Sequence, residues 1–97
     1  MRESTVEQYL VERVRALGGE VRKVQWIGRK GAPDRLVMLP VDCPAYVCGE
    51  TGTIWVELKA PGEKPKPHQV REHQRMREMG QRVEVIDSVE GVDALLR

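Results

Sequence analysis

Three residues have the types and spacing to do chemistry: Asp34, directly after Pro33, and the pair Glu57 and Lys59, two positions apart. In extended chain, a spacing of two puts Glu57 and Lys59 on one face and turns Leu58 to the other. Two carboxylates brought together repel unless a cation joins them, and hard oxygen ligands at an open site suit Mg²⁺ or Mn²⁺. Such an ion lowers the pKa of a water and stabilises charge on a transferring phosphoryl group. Lys59 adds a positive charge that can orient the attacking water or stabilise the transition state. For this to work, the start of the segment carrying Asp34 must lie beside the end of the segment carrying Glu57.

The predicted elements supply that arrangement. Ser4-Thr5-Val6-Glu7 opens a helix with a capping-box pattern, Val6, Leu10, Val14 and Leu17 recur at helical spacing, and Gly18-Gly19 end it. Val21–Ile27 and Asp34–Leu39 read as strands around the loop 28–33. After the connection Pro40–Gly52, Thr53–Lys59 is the clearest strand, with Ile54, Val56 and Leu58 on one face and Trp55, Glu57 and Lys59 on the other. A proline- and lysine-rich loop leads into a helix from about His68 to Met79. Val83–Ile86 forms a last strand, and Ser88 caps a short helix carrying Val92, Leu95 and Leu96. The order α-β-β-β-α-β-α predicts an α/β fold: antiparallel neighbours first, then a parallel pair joined by a right-handed crossover. Asp34, Glu57 and Lys59 then meet at one sheet edge.

The 97 residues are 40% hydrophobic and 32% charged, which fits one small globular domain, 1–97, with a thin core. No apolar run approaches the ~20 residues that cross a bilayer, and the Met-Arg-Glu-Ser start shows no signal-peptide pattern. Two cysteines make no disulfide scaffold, so a reducing cytoplasm is the expected location. The net charge of +1 hides an uneven distribution. Residues 21–40 carry five bases against Asp34, and residues 61–82 carry six against Glu63, Glu72 and Glu78, while four acids fall in 83–97. Folded together, the basic segments make a positive face suited to a polyanion. Arg29 and Lys30, just before Asp34, and Lys64 and Lys66 after Lys59 are the candidate phosphate contacts.

Pro33-Asp34 followed after 22 residues by Glu57-x-Lys59 resembles the PD-(D/E)XK nuclease pattern. Gly31-Ala32-Pro33-Asp34, Glu7 in an N-terminal helix and Gln69 opening the helix after Lys59 sharpen the match to the VRR-NUC branch, in its minimal stand-alone form known from phages. The resemblance runs from Ser4 to Ile86 and implies a restriction-endonuclease-like core, a mixed sheet flanked by helices. It further implies that Asp34, Glu57 and the carbonyl of Leu58 bind Mg²⁺ or Mn²⁺, that Glu7 acts through water, that Lys59 is the catalytic lysine and that Gln69 supports it. The implied reaction is metal-dependent hydrolysis of DNA, with branched DNA such as Holliday junctions as substrate and a homodimer as the acting form. Apolar Val41, Tyr46 and Val47 in the Pro40–Gly52 connection are candidate dimer surface.

Plainer readings compete at each position. Glu7 also completes a capping box with Ser4, Gln69 is also a polar residue at a helix start, and Arg29 and Lys30 are also ordinary solvated charge. A non-catalytic nucleic-acid-binding module would use the basic face alone, but there the two carboxylates would only repel phosphate. Cys43-x4-Cys48 and His68-x4-His73 have residue types that ligate zinc. The intervening strand, ~20 Å long, separates the two pairs, and His73 falls on the buried side of its helix. Loop thiols are the simpler reading.

Overall fold

The computed structural model describes residues 2–43 and 52–96. Its elements follow the predicted order: α1 (Glu3–Ala16), β1 (Glu20–Lys23), β2 (Arg35–Met38), β3 (Thr53–Leu58), α2 (Pro67–Glu78), β4 (Val83–Ile86) and α3 (Val89–Leu95). One four-stranded sheet, β1-β2-β3-β4, carries them all. The β1/β2 and β2/β3 pairs are antiparallel and β3/β4 is parallel. This is the mixed sheet expected of a restriction-endonuclease-like core.

The two faces of the sheet differ in chemistry because β3 alternates. Ile54, Val56 and Leu58 point to one side and join Val6, Leu10 and Val14 of α1, Val37 of β2, and Val92, Leu95 and Leu96 at α3 in a single apolar core. Tyr9 and Arg13 of α1 both bond the carboxylate of Asp93, Tyr9 Oη donating at 2.7 Å, and so tie α1 to α3. Glycine is required at position 19, where the chain passes under β2: a Cβ there would sit 2.3 Å from the Met38 carbonyl oxygen. The opposite face receives α2, through Met76 and His73, with Val83 of β4 buried beside them. Arg77 fixes the end of α2 by donating to the Val83 carbonyl at 2.9 Å.

Two local expectations change. The capping box at Ser4 does not form: the cap position lies two residues earlier, at Arg2, with no side-chain cap bond, and α1 runs from Glu3. Glu7 is drawn instead into an ion pair with Arg35, an interaction between distant segments that local pattern does not encode. The first strand is shorter than Val21–Ile27, since residues beyond Lys23 leave the sheet for the loop that reaches α2. At α3, Ser88 caps as expected, its Oγ accepting from the Gly91 N–H at 3.0 Å. Val41 is exposed, whereas Tyr46, Val47 and Cys48 lie outside the described residues.

Leu10 is fully buried where α1 crosses the sheet, so Leu10→Ala is expected to cost about 2–5 kcal/mol of unfolding free energy. A urea titration checks it; an unchanged midpoint would mean that α1 does not close the core.

Candidate active site

The register of β2 on β3 builds the site. Arg35 pairs with Val56, so one step beyond the ladder Asp34 stands opposite Glu57 on the face away from the apolar core. Lys59 follows on that face, its Nζ 4.0 Å from Glu57 Oε2. The two carboxylates have unlike environments. Asp34 is 58% exposed, whereas Glu57 and Lys59 are each only 8% exposed beneath α2. Burial is the chief cause that pushes the Glu57 carboxyl up to about 7; Lys59 opposes it and the charges of Asp34 and Glu3 add to it.

From the α2 side, His73 closes over Glu57. It is 1% exposed, and its Nε2 lies 3.5 Å from Glu57 Oε1 without a hydrogen-bond partner. Its other bond is to the backbone of Gly31, and burial holds its pKa below the ordinary histidine value. His73 therefore links the Gly31–Asp34 loop to the buried carboxylate. The same loop is clamped twice more. Arg29 donates two bonds to Glu72, at 3.0 and 2.7 Å, and Trp26 Nε1 donates to the Pro33 carbonyl at 2.8 Å. Glu72, bonded first by Arg29 and also by Arg75, is held down at about 2. Gly31 adopts φ +86°, and a Cβ there would meet the His68 carbonyl oxygen at 2.8 Å, so only glycine lets the loop seat on α2.

On the α1 side, Glu7 does not touch Glu57. It pairs with Arg35, which in turn holds Asp34 Oδ2 at 3.0 Å. Glu7 thus reaches the edge through an arginine that fixes Asp34. Gln69 sits at the start of α2, its Oε1 accepting from the Lys66 N–H at 2.8 Å, so the capping role is present and its amide nitrogen stays available. Arg29, Lys30, Lys64 and Lys66 are exposed on the two loops leaving this end of the sheet; Arg29 is the one committed to a carboxylate.

Sequence pattern alone did not single out Arg35, Glu72 or the linking role of His73. The available signals were that Arg35 follows the motif aspartate directly and that Glu72 and His73 share the buried stripe with Met76. Among the described residues no three Cys, His, Asp or Glu side chains gather as a metal cluster, and His73 is turned to Glu57 rather than toward a cysteine. Zinc held by the cysteine and histidine pairs gains no support from this geometry; Cys48 lies outside the described residues.

Sheet order, edge carboxylates and lysine together define a restriction-endonuclease-like domain. Compared with known proteins, the chain matches no family model. It is 47% identical over 88 residues to a curated protein named "Putative nuclease p44" from Acyrthosiphon pisum secondary endosymbiont phage 1, which spans 91% of this chain and 85% of that protein. A solved structure titled VRR_NUC domain superposes with a TM-score of 0.78 at 45% identity, over 96% of this chain and 91% of the other. The chain belongs to the VRR-NUC family.

The raised Glu57 pKa is a statement about stability. Folding favours its protonated form, so the associated stability is present below the unfolded value near 4.5 and is lost as pH rises through about 7. Glu57→Gln removes that loss. In chelator, the variant is expected to gain up to about 3 kcal/mol over the parent at pH 8 and little at pH 4.5. His73 titrates in the opposite sense in both proteins, so the reading is the difference in Tm between them at each pH. An equal difference at both pH values would show that the buried carboxylate carries no such penalty.

Proposed function

We propose that this VRR-NUC domain is a Mg²⁺- or Mn²⁺-dependent DNA endonuclease that acts on branched DNA. The observation that carries the reading is the buried Glu57 opposite exposed Asp34, two carboxylates whose mutual repulsion a divalent cation would relieve. The donor set fits a hard cation: both carboxylates, with the Leu58 carbonyl between Glu57 and Lys59 as a further oxygen, and water or phosphate completing the shell. When bound, the cation would polarise the scissile phosphate and acidify a water.

The chain's own residues do the rest. Lys59, buried beside Glu57, holds one positive charge where the attacking water and the developing phosphoryl charge meet. Arg35 fixes Asp34, and Glu7, joined to Arg35, is placed to act at the same edge through water. Gln69, at the mouth between the two basic loops, can turn its amide toward the water or a phosphate oxygen. Arg29, Lys30, Lys64 and Lys66 flank the edge from both loops and take the neighbouring phosphates. Hydrolysis releases a 5′-phosphate and a 3′-hydroxyl. Paired cuts at a four-way junction need two sites, and a two-fold homodimer supplies them in the symmetry of the junction. Such an enzyme works among nucleic acids in the host cytoplasm. No helix among the described residues is long and apolar enough to cross a membrane.

Incubation with four-way, flapped and linear DNA in Mg²⁺, Mn²⁺ or chelator tests the reading. Cleavage should require the cation and favour the branched substrates; undiminished cutting in chelator would overturn the metal role, and equal cutting of all three would remove the branch preference. Asp34→Ala and Glu57→Ala are expected to abolish cleavage while DNA binding persists, since each removes a ligand and a charge that repels phosphate. A fully active variant would displace the site. Lys59→Ala is expected to lose about 10²–10³ in single-turnover rate at saturating cation. Light scattering should report a homodimer; a stable ~11 kDa species at micromolar concentration would refute it.

A further inference from the structure

Beside the carboxylate edge, on the same face of the sheet, lies a cavity of about 300 Å³ with no role in the chemistry above. Trp55 forms its floor two residues before Glu57, ~6.6 Å along the strand. Trp26 rises from the loop clamped on α2, its ring centroid 5.1 Å from that of Trp55 and the ring planes tilted by 50°. Met76 and Met79 of α2 complete an apolar wall, and Arg29 and Gln81 stand at the rim. Both indole N–H groups are already bonded, Trp26 to the Pro33 carbonyl and Trp55 to Gln81 Oε1 at 2.9 Å. What remains for an occupant is the ring faces and the soft methionine wall, which suit a flat, apolar-faced group.

We propose that this cavity takes one unpaired nucleobase of the bound DNA, next to the scissile phosphate. The inference rests on the nuclease reading and adds to it how a branch is recognised. Three observations favour a base over other occupants. The volume is at the lower end for ligand pockets, enough for one planar heterocycle and little more. Arg29 and Glu72 of the lining form an ion pair, and Arg75, bonded to the same carboxylate from outside the cavity, brings this cluster to a net positive charge for the phosphates on either side of the base. The distance to Glu57 is within a nucleotide or two of the reacting phosphate. A second copy of the chain is a poorer occupant. A stable interface needs about 800 Å² per partner, and of the exposed large apolar side chains among the described residues, Ile27, Val41, Val70 and Met79, Met79 alone lines the cavity. Stacking on aromatic faces is tolerant of base identity, so the cavity would select unpaired geometry rather than sequence.

Trp26 and Trp55 are the only tryptophans in the chain, so selectively excited tryptophan emission reports on this cavity alone. Glu57→Gln protein is titrated with three DNAs: a continuous duplex, the same duplex with one extrahelical base, and the same duplex with an abasic nucleotide at that position. The extrahelical base should quench the emission and bind about tenfold tighter than its abasic counterpart. Equal quenching by all three, or equal affinity for base and abasic forms, overturns the proposal. So does emission that changes with protein concentration in the absence of DNA, which would assign the cavity to a second copy. In the cleavage-competent chain, Trp26→Ala should bring the kcat/KM ratio of base to abasic substrate to about one, and Trp26→Phe should restore most of it. If Trp26→Ala unfolds, the fluorescence comparison on the intact tryptophans still decides. Cleavage without any base dependence removes the cavity's role and leaves the nuclease reading standing. Base-dependent quenching by a chain that cuts nothing removes the nuclease reading and keeps the cavity.

Discussion

The register of β2 against β3 is the constraint on which the rest of the molecule depends. Arg35 opposite Val56 sets Asp34 opposite Glu57 and, in the same stroke, puts Ile54, Val56 and Leu58 into the apolar core. A slip of one residue would turn Glu57 and Lys59 into that core and carry the hydrophobic residues to the α2 side. The cost of moving Glu57 and Lys59 from their mutual ion pair into the apolar core, in place of three aliphatic side chains, makes the correct pairing far the more stable. Packing of the apolar core thus enforces the juxtaposition of two carboxylates that repel each other.

Holding such a pair together requires a rigid frame, and the loop 28–34 shows how one is made from a segment with no regular structure. Arg29 on Glu72, Gly31 pressed against His68 and the His73 bond to Gly31 fasten it to α2, and the Trp26 bond to Pro33 ties it to the chain just before it. Arg35 secures Asp34 from the other side. The loop is fixed by tertiary contacts rather than by its own hydrogen-bond ladder. Its conformation is inherited from α2, and α2 in turn is placed by being the crossover between two parallel strands.

What was legible in the sequence follows from this division. Alternation in Thr53–Lys59, the helical stripe Val6-Leu10-Val14 and the Ser88 cap are local patterns, and the fold and sheet order came from them. Asp34, Glu57 and Lys59 were legible as a set because strand pairing converts their spacing into proximity. The role of Glu7 was not, since its proximity to Ser4 mimicked a capping box while its partner, Arg35, lies 28 positions away. Glu72 and His73 looked like ordinary members of a buried helix face. Only the position of α2 over the sheet reveals that one neutralises Arg29 and the other closes on Glu57. Local pattern encodes elements; it does not encode which charges meet across them.

The β2–β3 connection leaves the sheet at the end opposite to Asp34 and Glu57, anchored where the Leu39 N–H bonds the Gly52 carbonyl at 2.9 Å. Cys43 of that connection packs into the apolar core, on the other face of the sheet from the carboxylate edge and α2. The chain is therefore modular along one axis: length can be added beyond Cys43 while the carboxylate edge keeps its geometry. That gives the fold a natural insertion point, at which a relative could acquire an extra element, or an experimenter a fluorescent or affinity module, without displacing Asp34, Glu57 or Lys59.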